Sequence, residues 1–307
     1  MNKKNIVVIG SSNVDLLMKM DHLPETGETV TDAEFFQVYG GKGANQAVAA
    51  ARAGGQVSFI NCVGEDAYTP RMVKNYEEDG INTDYLFHEK GIASGHALIM
   101  IGENGENYLS VAPGANYALT PDKIDQAKPL IEQAGIIVMQ YEILADTIKH
   151  VLDLANKLEI PVLWNFAPAR SFDLEYLPKV TFLVVNEVEA GFLAELPVKS
   201  FEDAEKAARQ LIHQGVDTVV LTLGEKGAIL MNRENTYRVP AFRVDAVDTT
   251  SAGDVFCGTF AVAFIEGRNP EESLRFANAA SAICVTRMGA QPSAPHRKEI
   301  ESQICIL

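Results

Sequence analysis

Short apolar runs alternate along the chain with stretches in which apolar residues recur every three or four positions. NIVVIG (5–10), VSFINCV (57–63), IIVMQ (136–140), PVLWN (161–165), FLVVN (182–186) and TVVLTL (218–223) are β-rich and almost continuously apolar. That is the pattern of parallel strands covered on both faces. Helical patterns lie between them, near 43–53, 69–79, 120–133, 145–158, 187–195 and 201–213. Thr120 followed by Pro121 marks one helix start, since proline suits the first helical position, where its missing N–H has no intrahelical partner to lose. The recurring order predicts an α/β fold: a doubly wound, mostly parallel sheet flanked by helices, with right-handed crossovers.

Two segments break that rhythm. VDLLMKMDHLPETGETVTDAEFFQVY (14–39) and ASGHALIMIGENGENYLSVA (93–112) carry turn signals and a two-residue alternation. The Asn104-Gly105 step between two strand-like runs is a hairpin signal. Both segments are read as strands of a small accessory sheet projecting from the main domain. A last strand-like piece, TYRVPAF (236–242), leads into three helices near 252–266, 270–287 and 295–303. Without internal repeats or low-complexity linkers, residues 1–307 read as one α/β domain with those two insertions.

Composition narrows the partners. The net charge of -15 argues against a nucleic-acid surface, which needs clustered Lys and Arg to release counterions. After Lys4 the run IVVIG is too short for a signal-peptide core, and no run approaches the ~18 apolar residues of a membrane span. Cys62, Cys257, Cys284 and Cys305 lack CxxC spacing and lie mostly in apolar surroundings, so buried thiols and a cytoplasmic location are expected.

In an open parallel sheet, ligands bind beyond the carboxyl ends of the strands. Polar residues stand at those ends here: Asn13 and Asp15 after the first strand, Glu142 after IIVMQ, Asn186 and Glu189 after FLVVN, and Leu223-Gly224-Glu225-Lys226-Gly227 after TVVLT. Any one of these reads equally well as a loop or cap residue, and asparagine at a strand end commonly caps the next helix. Their concurrence at one edge points to a polar ligand. GGKGANQAVAAARAGG (40–55) adds a glycine turn ahead of an Ala-rich helix, with Lys42 at its mouth. Small residues there let backbone N–H groups approach a ligand, and Asn45 in the first turn can point the same way. No GxxxxGK[ST] loop occurs, and GSSNVD rather than GxGxxG stands after the first strand, which removes the main support for a dinucleotide oxidoreductase.

DTTSAGDVFCGTF (248–260) places an aspartate in the first turn of an apolar helix. A helix starting near Ala252 presents unpaired N–H groups and the positive end of its dipole, an anion site suited to a phosphoryl group. As a mere first-turn acid Asp254 would contribute about 0.3–1 kcal/mol. Beside Ala252 and Gly253, and with the polar edge elsewhere, it reads as a base that accepts a hydroxyl proton during phosphoryl transfer.

At these residues the chain resembles the ribokinase family of carbohydrate kinases, over essentially its whole length. The resemblance is carried by GSSNVD (10–15), PETGETV (24–30), GGKGANQAVAAARAG (40–54), NEVE (186–189), TLGEKG (222–227), DTTSAGD (248–254) and TRMGAQPS (286–293). It implies a ribokinase-like fold, a small β-sheet lid over the sugar, a homodimer formed through that lid, and ATP-dependent phosphorylation of D-ribose to D-ribose 5-phosphate. Residue by residue it implies sugar contacts at Asn13, Val14, Asp15, Gly41, Lys42, Gly43, Ala44, Asn45 and Glu142, with Asp254 as base and Ala252 and Gly253 as anion hole. It implies ATP contacts at Asn186, at Thr222, Leu223, Gly224, Glu225, Lys226 and Gly227, at Gly253, Asp254 and Asn278, with Glu189 reaching Mg²⁺ through water. Asp248, Thr250, Cys284, Arg287, Gly289 and Ser293 match an activating K⁺ site. Related acceptors (deoxyribose, a ketose such as fructose, a nucleoside) stay open, as does a non-catalytic sugar or nucleotide sensor. Ser251 departs from the family's usual glycine, and Val185 and Phe166 from its usual prolines; the last two are expected to affect packing alone. Cys284 is expected to act through its carbonyl only.

Overall fold

The computed structural model describes residues 4–104 and 106–305. In chain order its strands are β1 (Asn5–Ile9), β2 (Asn13–Lys19), β3 (Glu34–Gly40), β4 (Gln56–Gly64), β5 (Leu86–Glu89), β6 (Gly95–Ile101), β7 (Asn107–Ala112), β8 (Ala134–Met139), β9 (Val162–Asn165), β10 (Phe182–Asn186), β11 (Thr218–Thr222), β12 (Ala228–Met231) and β13 (Thr236–Val239). The helices are α1 (Lys42–Arg52), α2 (Thr69–Glu78), α3 (Pro121–Gln126), α4 (Lys128–Ile131), α5 (Ala145–Leu158), α6 (Glu187–Ala194), α7 (Phe201–His213), α8 (Ala252–Ile265), α9 (Pro270–Cys284) and α10 (Arg297–Cys305). None of the described helices is long and apolar enough to cross a membrane.

The main sheet has the order β13-β12-β11-β10-β9-β8-β1-β4-β5. Pairing is parallel from β11 to β5, and β12 and β13 close one edge antiparallel. Successive side chains of β1 enter opposite cores: Ile6 and Val8 belong to the core that holds α1, α8 and α9, Val7 and Ile9 to the one that holds α5, α6 and α7. Burial on both faces is why these strands read as unbroken apolar runs. The chain builds outward from β1 in both directions, so the strand order reverses there and opens a crevice at the carboxyl ends.

A second sheet, in the order β3-β2-β6-β7, comes from the two alternating segments, with β2 and β6 parallel and the outer pairs antiparallel. β6 and β7 flank the predicted Asn-Gly turn, of which Gly105 lies outside the described residues. Both faces of this sheet leave large apolar side chains exposed, Phe35 and Leu98 on one and Phe36 and Leu109 on the other.

Some expectations need correction. The single helix expected over 120–133 is two, because Pro129 has no N–H to offer Asp125 and the turn closes at Ala127 instead. α9 stops at Cys284, since the carbonyl of Val285 is taken by the N–H groups of Val247 and Asp248. β5 and β12 are strands beyond those expected. Three cysteines are buried, but Cys305 is exposed.

Candidate active site

β1 runs through Gly10-Ser11-Ser12 straight into β2, which places Asn13 and Asp15, two residues apart, on one face of the small sheet. Glycines on the neighbouring strands make room for them. A Cβ on Gly40 would meet Asp15 Oδ2 at 2.1 Å, and one on Gly95 would meet Asn13 Oδ1 at 2.1 Å. Asn116 Nδ2 donates to Asn13 Oδ1 at 2.8 Å while its own Oδ1 accepts from Ser12 N–H, so Asn13 keeps its amide nitrogen for other partners. Burial, then the charges of Glu142 and Asp254, push the Asp15 carboxyl up to about 7. Val14 points the other way: its side chain lies wholly in the core, so it offers a ligand only backbone.

α1 begins at Gly41, whose φ of 89° suits glycine. The expected approach of its N–H groups to a ligand is not available, because the protein uses them. Lys42 N–H donates to Glu142 Oε2 at 3.0 Å, Gly43 N–H to Ser11 Oγ at 3.3 Å, and Ala44 and Asn45 N–H to the carbonyls of Ser11 and Gly41. The glycines serve close packing instead: a Cβ on Gly41 would lie 2.7 Å from Asn13 N, and one on Gly43 2.5 Å from Ser11 N. Ala44 is core. Glu142 therefore caps α1 and also accepts from Ser11 Oγ at 2.5 Å. Lys42 is half-buried among carboxylates; the charge of Asp254 first, with Glu142 and Glu189, outweighs burial and raises its pKa. Asn45 donates through Nδ2 to Asp254 Oδ2 at 3.0 Å, and its buried Oδ1 has no partner among the described residues.

α8 is built differently. Ser251 precedes it at φ 65°, a left-handed conformation costly for a residue with a Cβ, and gives no side-chain cap. The N–H groups of Gly253 and Asp254 have no hydrogen-bond partner among the described residues. A Cβ on Gly253 would meet nothing within 4 Å. Beside this open helix end Asp254 is only 5% exposed, Oδ1 accepting from Gln46 Nε2 at 3.0 Å and Oδ2 from Asn45 and, at 3.4 Å, from Ser251 Oγ.

Toward the other end of the crevice, Asn186 and Glu189 form a capping box on α6. Burial raises the Glu189 pKa against the Asn186 N–H, and its charge also acts on Lys42. Thr222 pairs with Asn186 in the adjoining strand, which brings the loop 222–227 beside it. Gly224 (φ 53°), Glu225 and Lys226 are exposed there, and Lys226 Nζ reaches the Lys199 carbonyl at 3.3 Å. Leu223 turns into the core, and Gly227 is held against the Val239 carbonyl, which a Cβ would meet at 2.1 Å. Asn278 donates to the Val239 and Pro240 carbonyls, so its Nδ2 is committed to the protein.

The six residues matched to a cation form one cluster. Asp248 accepts from the N–H groups of Thr250 and Gly289, and these bonds overcome burial to lower its pKa. Arg287 N–H donates to the Cys284 carbonyl. The Cys284 thiol lies 3.0 Å from Ser293 Oγ and 3.7 Å from the Thr250 carbonyl. Among the described residues no group of three or more His, Cys, Asp and Glu could hold a metal.

The sequence pattern of the pfkB family carbohydrate kinases matches residues 3–297. The chain is 39% identical to a ribokinase of Bacillus subtilis over 298 residues, 97% of this chain and 98% of that protein. It is 38% identical to a deoxyribokinase of Salmonella typhi over 303 residues, 98% and 99% of the two. Arabidopsis thaliana ribokinase, solved with ribose and ATP, matches it with a TM-score of 0.93 at 32% identity, over 99% of both chains. This chain belongs to the pfkB family of carbohydrate kinases.

As a carbohydrate kinase of that family it is a phosphotransferase with an alcohol group as acceptor, on a ribokinase-like fold. Val185 and Phe166, where the family favours proline, are both fully buried, and Phe166 packs edge-on against Trp164 at 5.0 Å. Motif reasoning missed Ser11, Gln46, Asn116, Gln140 and Asn165, all buried and all hydrogen-bonded at this edge. The available signal was a polar residue inside an otherwise apolar element, at Gln46 in α1 and at Gln140 after β8.

Proposed function

We propose that this kinase transfers the γ-phosphoryl group of MgATP to the 5-hydroxyl of D-ribose. The reading is carried by one observation: two N–H groups without a partner among the described residues, at Gly253 and Asp254, open beside a buried carboxylate. Preorganised N–H donors stabilise charge on a phosphoryl group in transfer, and the adjacent Asp254 accepts the hydroxyl proton as the new O–P bond forms and ADP leaves. Lys42, beside Asp254 and Glu189, adds positive charge between acceptor and donor.

Asn13 Nδ2, Asp15 and Asn45 Oδ1, the last without a partner among the described residues, would hold the sugar hydroxyls. Asp15 would accept from two vicinal hydroxyls, and these charge-assisted bonds favour ribose. A specific observation supports 2-deoxyribose as a second reading, since the Salmonella typhi deoxyribokinase is as similar as the ribokinases. The 2-hydroxyl discriminates the two, because a site built to bond a hydroxyl rejects the analogue lacking it.

Magnesium would enter with ATP as part of the substrate, and Glu189 would meet it through water. Asp248, Thr250, Cys284, Arg287, Gly289 and Ser293 would hold a potassium ion, whose charge would steady the turn leading into α8. The exposed Phe35, Phe36, Leu98 and Leu109 suit burial against a second copy of the small sheet, which would act as a lid. The test is ADP release from MgATP with ribose, 2-deoxyribose, fructose and a nucleoside, in potassium and in buffer free of monovalent metal ions. Fastest turnover with ribose, rising with potassium, is expected. Turnover at least tenfold faster with another acceptor would replace ribose, and no effect of potassium would remove the cation site.

A further inference from the structure

Asp254 Oδ1 is held by Gln46, a fully buried residue of α1. A carboxylate only accepts, so the nitrogen end of the Gln46 amide faces it. The same nitrogen donates to Asn165 Oδ1 at 3.1 Å. Both N–H bonds are thereby used, and Gln46 Oε1 accepts from Gln140 Nε2 at 2.7 Å. Gln140 in turn directs its Oε1 at Gly10, where a Cβ would meet it at 2.0 Å. That oxygen has no hydrogen-bond partner among the described residues. Each amide orientation is fixed by its neighbour's, so Gln140, Gln46 and Asp254 form a one-way chain from the residue after β8 to the first turn of α8, and Gly10 leaves room for the Gln140 amide.

A buried acceptor without a donor weakens a fold, and an apolar pair of the same shape would avoid the loss. The chain therefore serves something other than stability. We infer that Gln46 is the positioning residue of the base, fixing Asp254 Oδ1 and leaving Oδ2 as the atom that takes the proton. Oδ2 has its partners, Asn45 and Ser251, at the mouth of the crevice, whereas Oδ1 faces a side chain with no exposure. The inference rests on the kinase reading. In the step, the acceptor O–H bond breaks and its proton passes to Oδ2. The acceptor oxygen bonds the γ-phosphorus, and the bond from that phosphorus to the bridging oxygen of ADP breaks. The proton on Oδ2 is later lost to solvent.

The test is steady-state kinetics and sugar calorimetry of Gln46→Met, Gln140→Met, Asp254→Asn and the pairwise doubles. Methionine keeps the volume and removes the donor. For Gln46→Met, kcat should fall about 10- to 100-fold, the cost of a slightly misplaced reacting group. The sugar KM and sugar affinity should stay within about twofold, which a general loosening of the site would not allow. In the Asp254→Asn background the same change should cost nothing further, and Gln140→Met should add nothing to Gln46→Met. If Gln46→Met does not fold, Gln140→Met carries the test alone, with a loss of about threefold in kcat that vanishes beside Asp254→Asn. Wild-type kcat in Gln46→Met, or an equal loss with and without Asp254, would overturn the inference while leaving the kinase intact. Absence of wild-type turnover with every acceptor would overturn the kinase reading first and the inference with it.

Discussion

Both α1 and α8 open on the crevice after a residue of positive φ, Gly41 at 89° and Ser251 at 65°, and neither of these residues caps its helix with its own side chain. At α1 the N–H groups from Lys42 to Asn45 are all taken by Glu142, Ser11 and Gly41. At α8 those of Gly253 and Asp254 are taken by nothing among the described residues. The glycines differ in the same sense. A side chain at Gly41 or Gly43 would strike backbone, whereas one at Gly253 would enter open space. A helix start finished by its own protein contributes to the fold. One left open, with glycine kept where alanine would fit, is shaped for something that is not protein.

The largest effect that tests this contrast is on the base. Asp254→Asn should lower kcat by about 10²–10⁴, the usual contribution of general-base catalysis, while calorimetry still detects sugar binding. A loss below tenfold would move the chemistry away from α8. Alanine at the two glycines comes next and divides the helices directly. Gly43→Ala should destabilise the protein by about 1–3 kcal/mol through overpacking, read as a lower urea midpoint. Gly253→Ala should be as stable as wild type or up to about 1 kcal/mol more so, yet turn over at least ~10-fold more slowly. Equal destabilisation by both would erase the distinction.

Asp15 lies between the two helix starts, with Glu142 of one and Asp254 of the other raising its pKa after burial does. Linkage gives the sign. Between the ordinary value of 3.8 and about 7 the folded state holds a proton that the unfolded chain has released. The favourable contribution of Asp15 is therefore complete below about pH 4 and lost as pH rises to about 7. Urea unfolding from pH 4 to 8 should show a smaller decline in Asp15→Asn than in wild type; parallel curves would place Asp15 in a more solvated setting. The smallest change is Ser251→Gly, which relieves a left-handed serine and should raise stability by about 1 kcal/mol in thermal unfolding. A lower melting temperature would mean that Ser251 Oγ supports Asp254 more than its backbone strains the turn.

Much of the scaffold is legible without coordinates. The apolar runs at 5–10 and 182–186 read as strands because burial on both sheet faces leaves no room for alternation. The helix over 145–158 appears with its observed bounds because its apolar stripe has the helical period. β5 was not legible because His88 and Glu89 leave it no apolar run, and β12, apolar throughout, went unread. Asp254, Asn13 and Asp15 were legible as a site because strand ends and glycine turns are local features. Gln46 was not: its polarity inside an alanine-rich helix was a signal, but its role emerges only when Gln140, Asn165 and Asp254 converge on it from three other elements.

The sequence by itself determined the alternation of strands and helices, the side of the sheet that carries polar groups, and the residue types available for phosphoryl transfer. These arise from local propensity, period and capping chemistry, which act within a few residues. Only the tertiary structure decided which helix start stays open, which glycines are packed against backbone and which face open space, and that Val14 and Leu223 face the core. Those properties depend on the occupant of the neighbouring space, and groups far apart in the chain supply it: Glu142 closes α1 from across the sheet, while at α8 no described residue takes the N–H groups of Gly253 and Asp254.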